Sequence, residues 1–214
     1  RRAQALELPA QPRATGGALH LMVDGSGRKL SGPGEWLVEK HGTSRRRSWR
    51  KPHICFDSIT GRIVASILTD RDVDDASQVE PPLDQIAEPV EVFSGDGGHD
   101  GTNVHTALDE RHPDAKVIVP PRADAVFSAL VDTEPTQRDR HIQAIAGKGR
   151  MAWQRDYGYN QRARVEGQFA RWKQVIGDGL RFHSDEARAT EVAIAAQVLN
   201  RMLGRGRPNS VRVA

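Results

Sequence analysis

Tyr159, Arg162, Glu166 and Lys173 fall within one stretch, YNQRARVEGQFARWK, at offsets of zero, three, seven and fourteen residues. At about 100° per residue, a helix carries these four at roughly 0°, 300°, 340° and 320°, a single stripe about 60° wide. Val165, Phe169, Trp172 and Ile176 fall at roughly 220° to 280°, an apolar stripe that needs a core to pack against. The spacing predicts one helix that presents a carboxylate flanked by two cations and a phenol, beside a face that must be buried. A lone carboxylate among cations suits a metal ion and phosphate oxygens better than it suits structure alone. The competing reading is an ordinary surface pair between Arg162 and Glu166, four residues apart. That pair leaves Tyr159 and Lys173 unexplained.

A chain of 214 residues, 37% hydrophobic, is long enough to bury one sizeable core and reads as a single main domain. The net charge of +3 permits a polyanionic partner without demanding one. Its distribution says more. Arg45, Arg46, Arg47, Arg50 and Lys51 surround Trp49, and Arg201, Arg205, Arg207 and Arg212 close the chain. Basic residues with an interleaved aromatic suit DNA phosphates; a solvated hairpin tip or tail explains them equally. The only cysteine, Cys55, sits in the apolar run Ile54-Cys55-Phe56, which excludes an intrachain disulfide and any cysteine-rich zinc site. No run approaches the ~18 apolar residues of a membrane span. Arg1-Arg2 is no export signal, because Glu7 and Pro9 interrupt any apolar region behind it. A cytoplasmic protein is expected, and one that begins with Arg rather than Met reads as a fragment of something longer.

Residues 1–17 read as a short helical piece and a Pro/Gly-bearing linker, 18–206 as the main domain, and 207–214 as a basic tail. Leu19 to Val23 reads as a strand that ends in Asp24. Residues 28–51, polar and basic, read as a projecting hairpin. His53 to Phe56 and Arg62 to Leu68 are strands joined by a turn-rich DSITG segment. A helix is expected from Asp75 to Ala87, then a strand from Val90 to Phe93 that empties into GDGGHDG. A helix over Asn103 to Arg111, a strand over Lys116 to Val119, a helix near Arg138 to Ala146 and a final helix from Asp185 to Leu203 complete the pattern. The order is mixed α/β and fits a ribonuclease-H-like layout, a mixed five-stranded central sheet flanked by helices with an inserted basic hairpin.

Asp24 and Asp96 each follow an apolar strand, where side chains project from the carboxyl end of a sheet and ligands gather. Hard divalent cations want oxygen ligands and keep positions open for phosphates. Asp24, Asp96 and Glu166, from three separate elements, would make such a cage; either aspartate alone reads equally as a turn or helix-capping residue. Rival motifs fail on spacing. Asp70-x-Asp72-x-Asp74 begins like a calcium loop, but Asp75 stands at the glycine position and Pro81 at the closing glutamate. That run reads as a turn and helix start. The glycine-rich loop at 95–101 lacks the Gly-Lys-Ser/Thr of a phosphate-binding loop, and Ser26 has no nucleophile elbow. The eight histidines are scattered, and only His99, near Asp96, stands beside a candidate site.

Tyr159-x2-Arg162-x3-Glu166-x6-Lys173 resembles the Y-R-E-K motif of DDE transposases from bacterial insertion sequences, most closely the group conventionally numbered five. LHLMVDGSG resembles the first-aspartate strand of that family, and GEWLVEKHGTSRRRSWRKPHICFD its hairpin and second strand. TGRIVASILTDRDVDDA resembles the third strand, FSGDGGHD the second-aspartate motif, VIVPPR the next strand and LNRMLGRGRPNSVRV the closing segment. Gly25-Ser26 stands where relatives often have Ser-Thr, and Gly98-His99 where a small residue and an aromatic are usual; glycine there is expected to loosen the ligand loops.

The resemblance implies a catalytic trio of Asp24, Asp96 and Glu166 holding two Mg²⁺ or Mn²⁺ ions. Tyr159, Arg162 and Lys173 would hold phosphates, with Arg45, Arg46, Arg47, Arg50 and Lys51 on DNA. The implied reaction is DNA cleavage at the element's ends by water, followed by strand transfer of a 3′-hydroxyl into target DNA. Implied partners are transposon-end and target DNA and a homodimer within a synaptic complex, with no membrane, no small-molecule substrate and a location on the bacterial nucleoid. The alternative is a truncated, inactive fragment that only binds DNA or poisons assemblies, because relatives carry an N-terminal helical DNA-binding region of which only the last residues would be present.

Overall fold

Seven strands form one mixed sheet in the computed structural model, which describes residues 17–30 and 49–206. They are β1 (Leu19–Gly25), β2 (Arg28–Leu30), β3 (Trp49–Asp57), β4 (Ile63–Asp70), β5 (Val90–Ser94), β6 (Lys116–Ile118) and β7 (Gly179–Leu180). The five strands expected from sequence lie in the order β4-β3-β1-β5-β6. β1, β3 and β4 pair antiparallel, whereas β5 and β6 join parallel to β1. Two short strands were not expected: β2 pairs with β3 beyond the end of β1, and β7 pairs with β2. The segment between β2 and β3 that carries Arg45, Arg46 and Arg47 lies outside the described residues, as do 1–16 and 207–214.

Strand alternation divides the core in two. Leu19, Leu21 and Val23 of β1 face one side with Cys55, Phe93 and Val117. That side is covered by α1 (Glu80–Leu83) and α2 (Thr102–Arg111), through Leu83, Val104 and Leu108. Met22, Ile54 and Phe56 face the other side, under α5 (Ala163–Val175) and α6 (Asp185–Gly204). The apolar stripe predicted for α5 packs as expected, with Val165 and Trp172 buried and Phe169 and Ile176 against the same cluster. Asp24 has the parity of Met22, so it emerges on the face where α5 begins. On α6, Asn200 accepts from the Ile63 amide at 2.8 Å and donates to the Ile63 carbonyl at 2.7 Å, which ties this helix to β4.

Two expectations fail for identifiable reasons. The helix expected over Asp75 to Ala87 is a 3₁₀ turn, Ala76–Gln78, followed by the single turn of α1. Pro81 and Pro82 lack the amide hydrogens that a continuous helix from residue 76 would require. Tyr159 and Arg162 belong to a 3₁₀ turn, Tyr159–Arg162, that precedes α5, so their angles on an ideal α-helix do not apply.

The helix expected near Arg138 to Ala146 is α3 (Gln137–Lys148), and a second helix, α4 (Arg150–Asp156), follows after a break at Gly149 with φ of 81°. Thr136 and Asp139 cap α3 reciprocally. Buried His141 links α3 and α4 to the sheet: its Nε2 donates to the Val117 carbonyl at 2.8 Å, and its Nδ1 accepts from the Trp153 indole at 2.7 Å. A carbonyl can only accept and an indole only donate, so His141 is the neutral Nε2–H tautomer. Burial lowers its pKa to about 4 from 6.5.

The unfolded chain therefore binds a proton at His141 before the folded chain does, and stability falls as pH drops from about 6.5 toward about 4. Replacing His141 with Gln should remove this slope. The stability advantage of the wild type over His141→Gln, from urea titrations, should shrink by about 3 kcal/mol across that window. A pH-independent difference would show that His141 carries no such proton linkage.

Candidate active site

Two aspartates converge on one guanidinium where the sheet meets the start of α5. Asp24, at the carboxyl end of β1, accepts the Gly25 amide at 2.9 Å and lies 3.2 Å from Nη2 of Arg162. The same Nη2 stands 3.8 Å from Asp96, beyond the end of the adjacent parallel strand β5. Arg162 also donates from Nη1 to the Val23 carbonyl at 2.9 Å, which fixes the fork against β1. Its side chain is only 13% exposed, so this is a desolvated contact rather than a surface pair.

Asp96 begins the turn Gly97–His99, and its Oδ1 accepts from the Gly98 amide at 2.9 Å and from His99 Nδ1 at 2.7 Å. The two carboxylates are poised differently. The His99 hydrogen bond is the largest influence on Asp96 and holds it below the usual carboxylate range, with Arg162 assisting. Burial is the largest influence on Asp24 and raises it; Arg162 opposes this, and the charge of Asp96 adds to the rise. Two carboxylates this close need a cation, and the one beside them is Arg162.

The predicted residues therefore divide. Asp24, Asp96, Arg162 and His99 come together. Tyr159 joins them: burial raises its pKa, it shares a hydrogen bond with Arg162, and its ring lies 5.3 Å from that of Trp153. Glu166 and Lys173 are exposed on α5. The surface pair between Arg162 and Glu166 is replaced by the pairs from Arg162 to the two aspartates.

Three of the positions singled out from sequence are packed against partners within the fold. Arg162, expected to bind phosphate, pairs with carboxylates in this structure. Arg50 and Lys51, expected to lie on DNA, are part of β3. Arg50 pairs with Asp70 at 2.8 Å and Asp185 at 3.0 Å, and Lys51 with Asp75 at 2.7 Å. A Cβ on Gly25 would lie 2.6 Å from Lys51 Cε and 2.8 Å from Asp75 Oδ1, so a larger residue there would have to displace that pair. Asp75 itself was assigned to a turn from sequence. The signal was confined to its place among four other acids in DRDVDDASQVE, which points equally to a helix start.

Asp24 and Asp96 suit a hard divalent ion as oxygen donors, and the guanidinium marks where positive charge is favoured between them. The fit is that of a two-carboxylate pair. Among the described residues, no group of three or more His, Cys, Asp or Glu stands close enough to hold a metal ion, and Glu166 remains exposed. No helix of the described residues is long and apolar enough to cross a membrane.

Paired aspartates at adjacent strand ends of a mixed α/β sheet, with an arginine from the turn before α5 beside both, agree with one comparison. The chain matches the family profile described as "Transposase DDE domain" over residues 15–203, most of its length. It therefore belongs to the transposase DDE domain family, which is ribonuclease-H-like in fold, acts on DNA in transposition and generally uses divalent metal ions.

Proposed function

We propose that residues 18–206 form the catalytic domain of an insertion-sequence transposase that cleaves DNA at the element's ends and joins those ends to target DNA. The observation that carries this reading is the convergence of Asp24 and Asp96, from the ends of parallel neighbours β1 and β5, on one guanidinium. Burial and mutual repulsion make ionised Asp24 unfavourable unless a cation accompanies it. Perturbed carboxylates of this kind cluster at functional sites.

In this reading Asp24, Asp96 and Glu166 hold two Mg²⁺ or Mn²⁺ ions, with Glu166 supplied from α5 one turn beyond Arg162. A divalent ion, when bound, supplies Lewis-acid stabilisation of charge on phosphoryl oxygens. Arg162 exchanges its carboxylate partners for phosphate oxygens, whose geometry its planar fork matches. Tyr159, kept protonated by burial, donates a hydrogen bond to the same phosphate. Lys173, on the exposed face of α5, supplies a point charge to the DNA backbone. A homodimer in a synaptic complex brings the two element ends together.

Glu166 is exposed, so Glu166→Gln should cost less than about 0.5 kcal/mol of stability and leave DNA affinity unchanged. Cleavage of DNA bearing the element's ends, followed by gel in Mg²⁺, should fall at least ~100-fold. Retained cleavage would remove Glu166 from the site. Wild-type protein that binds this DNA in a salt-sensitive, metal-independent way without cutting it would instead support a DNA-binding regulator.

Asp24 supplies a second prediction. A carboxyl whose folded pKa is raised holds its proton more tightly when folded. Its stabilising contribution is therefore present at low pH and lost as pH rises through the folded value. Asp24→Asn should thus melt at or above the wild-type temperature near neutral pH without divalent ions. It should also lose the rise in melting temperature that Mn²⁺ gives the wild type. A full Mn²⁺ response in Asp24→Asn would exclude Asp24 as a ligand.

A further inference from the structure

A third carboxylate borders the two aspartates without joining them. Asp75 lies five residues beyond β4 and precedes the 3₁₀ turn Ala76–Gln78, yet its side chain makes no cap hydrogen bond there. It turns inward instead. Oδ2 accepts from Lys51 Nζ at 2.7 Å, and both side chains are 19% exposed. Oδ1 stands 3.2 Å from His53 Nδ1, without a well-aligned donor. His53 is oriented from its other nitrogen, which lies 2.9 Å from Thr69 Oγ1, and the Thr69 hydroxyl also donates to the Lys51 carbonyl. Burial opposes ionisation of Asp75, but His53 and Lys51 outweigh it and hold the group far below the usual carboxylate range.

This pair is wedged between the two aspartate loops. Asp75 Oδ1 and Lys51 Cε lie within 2.8 Å and 2.6 Å of where a Cβ on Gly25 would stand, directly after Asp24. Asp75 Oδ2 lies 3.4 Å from the corresponding point on Gly98, where Asp96 Oδ1 is 3.0 Å away. The charge of Asp75 reaches Asp96, and that of His99 reaches Asp75. Lys51 neutralises Asp75, so the wedge adds little net charge beside Asp24 and Asp96. What it supplies is a charge-paired contact, held at 2.7 Å, that braces the gap between those two loops.

We propose that Asp75, held by Lys51 and lying against His53, is a positioning residue that fixes the spacing of Asp24 and Asp96 for divalent-ion binding. The inference rests on the metal reading of those two aspartates given above. Residues that orient ligands without touching the ion typically change metal affinity about 10- to 100-fold when replaced.

The test is Mn²⁺ affinity by calorimetry on folded protein, with circular dichroism checking the fold of each variant. Asp75→Asn should weaken Mn²⁺ binding about 10-fold. That variant also leaves Lys51 uncompensated, so the double variant Asp75→Asn/Lys51→Met separates charge from position. It restores neutrality and carries the test even where Asp75→Asn fails to fold. If Asp75 positions the loops, the double variant stays about 10-fold weaker than wild type. Wild-type affinity in the double variant would show that charge alone matters and overturn the proposal. Unchanged affinity in Asp75→Asn would overturn it while leaving the metal reading intact. A wild-type chain that binds no Mn²⁺ would remove both together.

Discussion

The contact on which the site depends is the fork of Arg162 lying between Asp24 and Asp96. Two acids at the ends of neighbouring parallel strands repel each other in a partly desolvated place, and the sheet leaves them little freedom to part. A guanidinium brought in from the turn before α5 compensates both and is itself tied to the β1 backbone. The chain thus carries its own counter-ion at the place proposed above for divalent ions. On the proposed reading, a metal at this place would compete with an arginine, and its loading would release the cation proposed to hold phosphate.

That contact follows from lower levels of structure. The parity of β1 sends Leu19, Leu21 and Val23 to one core and Met22 to the other, so Asp24 emerges on the α5 face. The apolar stripe of α5, through Val165 and Trp172, seats the helix over that face and brings its leading turn to the strand ends. Buried Arg28 of β2 supports the same helix from below, its guanidinium 5.9 Å and 5.5 Å from the rings of Phe169 and Trp172. On the far side, His141 and Trp153 fix α3 and α4 to β6 and so place Tyr159. Close packing continues behind the aspartates, where the Lys51–Asp75 pair abuts Gly25.

The sequence made the five central strands, the core stripe of α5 and the positions of Asp24 and Asp96 readable, because each rests on local periodicity or on an apolar run that ends in an acid. His99 was visible only as a neighbour of Asp96 in the chain; the structure adds its hydrogen bond to that carboxylate. What escaped is long-range. Nothing local distinguishes an arginine bound for phosphate from one that folds back 138 residues onto Asp24, or a surface lysine from one that meets Asp75 across a sheet. The helix expected from Asp75 to Ala87 is interrupted by a local feature, the pair Pro81-Pro82, which lacks the amide hydrogens a continuous helix needs. β2 and β7 are too short for periodicity to register.

The most direct measurement is a crystal structure of the chain soaked in Mn²⁺, with anomalous scattering used to locate the ion. The account predicts a peak bridging Asp24 and Asp96, with the Arg162 side chain withdrawn from both. An ion found only elsewhere on the molecule, with Arg162 still lodged between the two carboxylates at high Mn²⁺, would contradict it.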